Sequence, residues 1–142
     1  MRGQARDYDQ WASLTGDARW RWDECLPDFK RHEDYHRGAD AMHGAGGEWR
    51  VDKQRLRWDI LDAFAQAARE AGLPANDDFN RGNNEGVGYF EVNQKNGWRW
   101  NTAKAFLRPT CYGRPNFEMW TSAQVNRLLL EDQAQKRLDE LR

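Results

Sequence analysis

Eight tryptophans are spread along a 142-residue chain whose mean hydropathy is only −1.09. Because indole rings carry a large apolar area, a chain this polar has to concentrate them on a few surfaces when it folds. The rings then either build an aromatic core or face a cofactor or another part of a larger protein. Composition leaves both possibilities open, and the length suits one compact domain.

Charge and hydropathy exclude two classes of partner. With 22 basic and 23 acidic residues, the chain has no excess of positive charge to attract nucleic acid. Its longest apolar runs are only a few residues, so no membrane span is expected. The first ten residues (MRGQARDYDQ) lack the apolar stretch of a signal peptide, so we expect a cytoplasmic protein. Cys25 and Cys111 match no CxxC pattern, which favours small buried thiols over a disulfide or redox pair.

The apolar periodicity predicts an α+β fold, in which helices pack with short antiparallel strands. Gly16 and Gly72 are placed to end the first and third helices. Pro27 is expected in the first turn of the second helix, and Pro109 is expected to end the fourth. The helices are expected at about 5–14, 23–33, 59–72 and 102–107.

Alternating or short runs of apolar and β-branched residues predict strands at 48–51, 87–94, 117–120 and 125–130. Asn96-Gly97 is typical of a hairpin turn, and 76–86 is rich in turn-forming residues. The glycine-rich stretch 36–47 is expected to be a loop whose glycines serve turning rather than anion binding. Residues 131–142 are compatible with a helix or a strand.

One short string, His32-Glu33-Asp34-Tyr35-His36, matches the HExxH signature of zinc hydrolases. On a helix the two histidines would share one face, and the glutamate could activate a metal-bound water. The extended form of the signature requires glycine and histidine at the positions that Ala39 and Met42 occupy. The residues that follow favour a loop, so we interpret the string as solvent-exposed residues at a helix end. No phosphate-binding glycine loop and no GxSxG nucleophile motif is present.

Six short segments follow one another along the chain. They are 1–11 (MRGQ and DYDQW), 22–33 (WDECLPDFKRHE), 43–51 (HGAGGEWRV), 78–88 (DFNRGNNEGVG), 97–109 (GWRWNTAKAFLRP) and 115–130 (PNFEMWTSAQVNRLLL). In this order they resemble the middle of the glucose–methanol–choline (GMC) oxidoreductase family, and in particular its choline dehydrogenase-like members. Each segment alone is weak, but six in the right order are strong together. Asp28, Glu48 and Asn101 stand where the family usually has tyrosine, proline and serine, and RLDELR at 137–142 departs from the family pattern.

The resemblance implies an enzyme that binds FAD and oxidises a small-molecule alcohol by hydride transfer to the flavin. Val125 matches the position whose backbone hydrogen-bonds the adenine of FAD in this family. Arg2 and Gly3 follow the flavin attachment loop and are expected near the cofactor. The resemblance places the dinucleotide-binding glycine motif before Met1 and the histidine base beyond Arg142, so the chain is expected to be an internal piece without catalytic residues of its own.

The same resemblance divides the chain into three parts. Residues 1–47 would be a helical segment after the flavin attachment loop, 48–109 substrate-domain strands and helices, and 110–142 strands that return to the FAD-binding domain. Two other hypotheses stay open from the residues themselves. They are a free-standing aromatic binding module for a peptide or carbohydrate, and the HExxH zinc hydrolase.

Overall fold

The computed structural model describes residues 1–127 and confirms the α+β class. Helices dominate the first half of the chain, and the strands are short. In chain order the elements are α1 (Ala5–Thr15), a 3₁₀ turn (Ala18–Trp20), α2 (Trp22–His32), β1 (Glu33–Tyr35), β2 (Trp49–Val51), α3 (Asp59–Glu70), β3 (Gln94–Lys95), β4 (Trp98–Arg99), a π-helical turn (Ala103–Leu107) and α4 (Arg108–Thr110).

The three main helices lie where the periodicity predicts them, with two differences in detail. Gly16 ends α1 in the left-handed conformation, with φ 71°, as expected. Pro27 lies inside α2 rather than in its first turn, because the helix already begins at Trp22. An interior proline costs the helix one hydrogen bond to the carbonyl four residues earlier. Helix α3 ends at Glu70, two residues before Gly72, whose φ is 95°.

Aromatic rings join α1 to α2. The Tyr8 ring lies 5.5 Å from Trp11, 5.3 Å from Trp22 and 5.9 Å from Phe29 between ring centroids. Such tilted and edge-to-face arrangements are the favourable geometries for aromatic pairs. Trp22, with 6% of its surface exposed, lies in the buried core. These rings hold the first two helices against each other.

The strands form two small pairs. β1 and β2 are parallel, with Glu33 opposite Trp49 and Tyr35 opposite Val51. A single antiparallel bridge between Asp52 and Val92 connects β2 to the second half of the chain. β3 and β4 form the predicted hairpin around Asn96-Gly97, whose φ values of 54° and 83° are those of a two-residue hairpin turn.

Two of the predicted strands are wrong, and a third is wrong in the part that is described. The 87–94 strand is reduced to isolated bridges at Val87 and Val92 and the first residue of β3, and 117–120 and 125–127 are irregular. The physical reason is pairing, because a β-strand needs a hydrogen-bonded neighbour along its length. Within 87–93 the bridges are isolated, and no described residue pairs as a strand with 117–120 or 125–127. The rest of the 125–130 prediction, and all of 131–142, lie outside the described residues.

Pro109 does not end the fourth helix. The chain forms a π-helical turn at Ala103–Leu107 and continues into α4, which contains Pro109 in its first turn. The residues before Pro109 are already helical, so the proline withholds one amide donor from a continuous helical run that still extends to Thr110. Both cysteines are free, as expected, but they are half-buried rather than fully buried.

Few of the aromatic rings enter the core. Trp22 is the one tryptophan among the buried apolar residues, whereas five tryptophans are between 46% and 78% exposed. Helix α3 also leaves its apolar face open, with Ile60 70% and Phe64 68% exposed. Within 1–127, no helix has both the length and the apolar character needed to cross a bilayer. The exposed tryptophans are Trp11, Trp20, Trp58, Trp98 and Trp120.

Candidate functional site

A polar cluster, which we define as Arg2, Glu33, His43 and Asp78, occupies the centre of the described chain. His43 is completely buried, and the other three side chains are at most 7% exposed. His43 Nδ1 lies 3.0 Å from Glu33 Oε2, and His43 Nε2 lies 2.9 Å from Asp78 Oδ2. Because a carboxylate can only accept, an imidazole that satisfies both must donate from both nitrogens, as an imidazolium does.

The loop 36–48 fixes His43 through its own backbone. The Asp40 carboxylate accepts hydrogen bonds from the amides of Met42 and His43, at 2.7 and 2.8 Å. The amide of Gly44 donates to Glu33 Oε2 at 3.0 Å. A side chain at Gly44 would begin 1.8 Å from the carbonyl oxygen of Lys30 in α2, which no packing arrangement accommodates. The glycines of this loop therefore allow it to contact the end of α2 and to bring His43 to Glu33.

The cluster is electrostatically coupled. Burial alone would lower the pKa of His43, but the Glu33 hydrogen bond and the charges of Glu33 and Asp78 outweigh burial and raise it. Burial would raise the pKa of Glu33, but its hydrogen bond to His43 and the charge of Arg2 bring that pKa below its usual value. The pKa of Asp78 is also lowered: the Asn80 amide, His43 and Arg81 overcome burial. The cluster is thus built to hold ionised carboxylates next to a charged imidazole.

Arg2 connects this cluster to the start of the chain. Its guanidinium forms an ion pair with Glu33 Oε2 at 2.7 Å and donates to the carbonyl oxygen of Met42 at 2.5 Å. Its backbone amide donates to Asn80 Oδ1 at 2.8 Å. Through these partners Arg2 binds Glu33 and holds the segment before α1 against the loop 36–48 and the turns at 76–86.

A second group of polar side chains surrounds Glu91. Oε1 of Glu91 accepts hydrogen bonds from Tyr35 Oη at 2.8 Å and lies 2.8 Å from His36 Nε2. Arg37 Nη2 is 3.4 Å from the same oxygen. Burial, together with the Glu91 hydrogen bond, raises the pKa of Tyr35, so its hydroxyl stays a donor. The Tyr35 ring stacks on His43 at 3.7 Å, which joins this group to the polar cluster.

Two cavities lie beside these groups. A small one of about 140 Å³ is lined by Arg2 and Glu33 of the polar cluster and by Glu91. A larger open cleft of about 630 Å³ shares Trp49, Glu91 and Asn93 with the small one. Glu91 therefore lies at the junction of the two spaces.

The HExxH string does not form a metal site of the zinc hydrolase kind. His32 is the last residue of α2, whereas Glu33 belongs to β1 and His36 follows that strand, so they do not share one helical face. Our interpretation of the string as solvent-exposed was wrong: His32, Asp34 and His36 are half-buried, Tyr35 is 2% exposed and Glu33 is 3% exposed. Its carboxylate is held by Arg2 and His43 instead. Within residues 1–127, no group of three or more His, Cys, Asp or Glu side chains is arranged to hold a metal ion.

The three residues predicted to contact the cofactor do not form one site in the described chain. Arg2 is buried in the polar cluster, and Gly3 is half-buried beside the Tyr8 ring, which a side chain at Gly3 would approach to 3.1 Å. Val125 is 73% exposed in the irregular segment 121–127 and does not line the cavity beside Arg2. Their role with the cofactor stays a prediction.

The sequence analysis missed the polar cluster, although its members were already visible. Arg2, Glu33, His43 and Asp78 each come from a different one of the family-like segments. Taken singly they are ordinary charged residues, and only the fold brings them within hydrogen-bond distance. The available signal was that each of four separate segments, from the one with Arg2 to the one with Asp78, contributes one ionisable residue.

Sequence comparison shows which known proteins this chain is similar to. Residues 1–139 match the GMC oxidoreductase family. Mitochondrial choline dehydrogenase of Mus musculus is 35% identical over 131 residues, which cover 92% of this chain and 22% of that protein. The alcohol dehydrogenase (acceptor) of Pseudomonas putida is 36% identical over 133 residues, which cover 93% of this chain and 24% of that protein.

A solved structure gives the same result. The crystal structure of pyridoxine 4-oxidase from Mesorbium loti matches with a TM-score of 0.76 and 36% identity, over 82% of this chain and 23% of that one. The chain thus spans less than a quarter of the length of these relatives. Because the family match covers nearly the whole sequence and the fold agrees with a solved relative, the chain belongs to the GMC oxidoreductase family.

Proposed function

We propose that this chain is part of an FAD-dependent oxidoreductase that oxidises the CH–OH group of a small-molecule alcohol. The observation that carries the proposal is the family match over residues 1–139, joined to a common fold with pyridoxine 4-oxidase at a TM-score of 0.76. The names of the similar proteins, choline dehydrogenase and alcohol dehydrogenase (acceptor), support the same class of reaction. When bound, FAD supplies the acceptor for the hydride that leaves the alcohol carbon.

The residues of this chain fit a supporting role in cofactor binding. Val125 lies on exposed, irregular backbone, and its amide donates to none of the described residues, so the amide is free to donate to the adenine of FAD. Gly3 leaves room at a position where a side chain would crowd Tyr8 and Asp7. Arg2 would act indirectly, because its guanidinium is already engaged by Glu33 and its role is to position the segment that contains Gly3.

The base that takes the hydroxyl proton is assigned to another part of the enzyme. Both ring nitrogens of His43 face carboxylates, and His36 is held on Glu91, so neither is placed to accept a proton from a substrate. We therefore propose that the chain alone is inactive. The open apolar face of α3 also favours a piece of a larger protein over a free-standing binding module, because an isolated module would have to keep this face in water.

The proposal is tested on the full-length protein that contains this segment. We expect the purified protein to show visible flavin absorbance that bleaches when an alcohol is added without oxygen. Val125→Pro removes the backbone amide and should lower the flavin content, whereas Val125→Ala keeps the amide and should leave it unchanged. Ala123→Pro, two residues away on the same exposed segment, controls for a general effect of proline.

Two results would contradict the proposal. One is a full-length protein that is purified folded but without flavin and does not take up added FAD. The other is tight, stoichiometric FAD binding by the 142-residue chain alone, because the residues that hold the pyrophosphate are assigned to another part of the enzyme. Equal flavin loss in Val125→Pro and Ala123→Pro would refute the specific role of Val125.

A further inference from the structure

Glu91 has two carboxylate oxygens with very different surroundings. The side chain is 6% exposed, and Oε1 is surrounded by Tyr35, His36 and Arg37. Oε2 is also buried, yet it accepts no hydrogen bond from any residue within 1–127. Buried acceptors are nearly always paired, so an unpaired carboxylate oxygen indicates a partner that arrives from outside the described chain.

The position of Glu91 shows where such a partner would bind. Glu91 lines both the small cavity and the larger cleft, and Trp49 and Asn93 line both spaces with it. The indole of Trp100 forms part of the cleft wall. The other buried oxygen without a partner, Asn84 Oδ1, lines neither space. Glu91 is thus the unpaired acceptor that borders a space of ligand size.

The three donors at Oε1 also fix the direction of the carboxylate. With Tyr35, His36 and Arg37 on one oxygen, the carboxylate cannot turn Oε2 towards them without losing those contacts. The contacts at Oε1 therefore leave Oε2 as the unpaired acceptor of a residue that lines both cavities and is held by buried neighbours.

We propose that Glu91 Oε2 is a specificity-determining acceptor of the substrate site, which receives a second hydrogen-bond donor of the alcohol, either another hydroxyl or a protonated amine. The inference rests on the proposed function and deepens it by naming the substrate class. An alcohol without the second donor would leave the buried oxygen unpaired, and sites built to hydrogen-bond a substrate group discriminate strongly against analogues that lack it.

The sharpest variant is Glu91→Gln. The donors at Oε1 require the amide oxygen at that place, so the amide NH₂ group would take the position of Oε2. The substitution therefore converts the group at the junction from an acceptor into a donor at nearly constant size. We expect the preference of the enzyme to change from alcohols with a second donor to alcohols with a second acceptor.

The assay is the apparent kcat/KM of the full-length flavoenzyme for four matched probes. Ethylene glycol and 2-aminoethanol carry a second donor, 2-methoxyethanol carries an acceptor only, and propan-1-ol carries neither. We expect the wild type to prefer the two donor probes over propan-1-ol by about 10-fold or more. Glu91→Gln should lose that preference and gain activity on 2-methoxyethanol relative to propan-1-ol. A loss on 2-aminoethanol alone would assign the site to amines, and a loss on both donor probes would assign it to donors in general.

The matched control is Glu85→Gln, which removes the same charge from an exposed position in the 76–86 turns and should leave all four ratios unchanged. If Glu91→Gln does not fold, the wild-type ratios decide: no preference for the donor probes overturns the inference. The role of Glu91 and the proposed function can be refuted separately. If wild type and Glu91→Gln both oxidise propan-1-ol and show the same kcat/KM ratios between the four probes, the role of Glu91 is refuted. The proposed function then stays intact. If another alcohol bleaches the flavin but none of the four probes does, the inference is overturned and the proposed function stands. If no alcohol bleaches the flavin, both fail.

Discussion

His43→Gln is the substitution that tests the polar cluster most directly. In the structure the imidazole is fully buried between Glu33 and Asp78, and it stacks on Tyr35 at 3.7 Å. Glutamine is neutral and has one amide group with which to replace two ring donors. The variant therefore loses at least one of the two imidazole contacts and removes the positive charge between the two carboxylates, which keep only Arg2 and Arg81 as charged partners.

The expected magnitude follows from these contacts. Removing one partner of a buried ion pair costs about 3–5 kcal/mol, and we expect a value of about 3 kcal/mol here because Glu33 keeps Arg2 and Asp78 keeps Arg81. Loss of the stacked ring adds about 1 kcal/mol. Since small domains have a total unfolding free energy of about 5–15 kcal/mol, His43→Gln should remove a large part of it.

The assay is urea unfolding followed by tryptophan fluorescence. With a denaturant slope of about 2 kcal/mol per molar, the midpoint should fall by about 2 M. His32→Gln is the matched control. It also removes an imidazole, but from a half-buried position that contacts the rings of Phe29 and Phe106 and, among residues 1–127, no carboxylate. We expect the control to lose about 1 kcal/mol.

The pH dependence gives an independent check. The folded-state pKa of His43 is raised, so its stabilising contribution is complete below the unfolded value of 6.5 and is lost as the pH rises through the folded pKa. The difference in unfolding free energy between wild type and His43→Gln should therefore be largest near pH 6 and shrink towards alkaline pH. A difference that stays constant over this range, or a midpoint shift no larger than that of His32→Gln, would refute the argument that a charged imidazole holds the cluster together.

Three further predictions concern the same fold. Gly44→Ala should prevent soluble expression or cost more than about 3 kcal/mol in urea unfolding, because its methyl group meets the backbone of α2, whereas Gly46→Ala, at φ 79° in open space, should cost only about 1 kcal/mol. The pKa of Glu33 is lowered, so its stabilising contribution is complete above the unfolded value of 4.5 and is lost as the pH falls through the folded pKa. The unfolding free energy of Glu33→Gln should therefore fall less steeply with decreasing pH than that of the wild type. Equal slopes for the two proteins would contradict this. Replacement of Ile60 and Phe64 by serine should reduce self-association of the 142-residue chain in sedimentation with little loss of stability, since both side chains are exposed, and unchanged association would show that another surface is responsible.

Local elements of this chain could be predicted because their causes are local. Apolar periodicity and glycine stops located α1, α2 and α3, and Asn96-Gly97 predicted the β3–β4 hairpin. The predicted strands at 87–94 and 117–120 failed because a strand is stabilised by its neighbour, and the identity of that neighbour is not written in the strand itself. The family was recognisable from ordered short segments, none of which is specific alone.

The sequence by itself determined the helices, the hairpin and the family, because periodicity, turn chemistry and motif order are properties of neighbouring residues. Only the tertiary structure decided what the charged residues of those motifs do. Glu33 looked like an exposed helix end, and His43 looked like a loop residue, yet together with Arg2 and Asp78 they form the buried centre of the chain. The physical reason is that an ionisable side chain can be buried only when opposite charges and donors from distant segments surround it, and the fold alone brings those segments together.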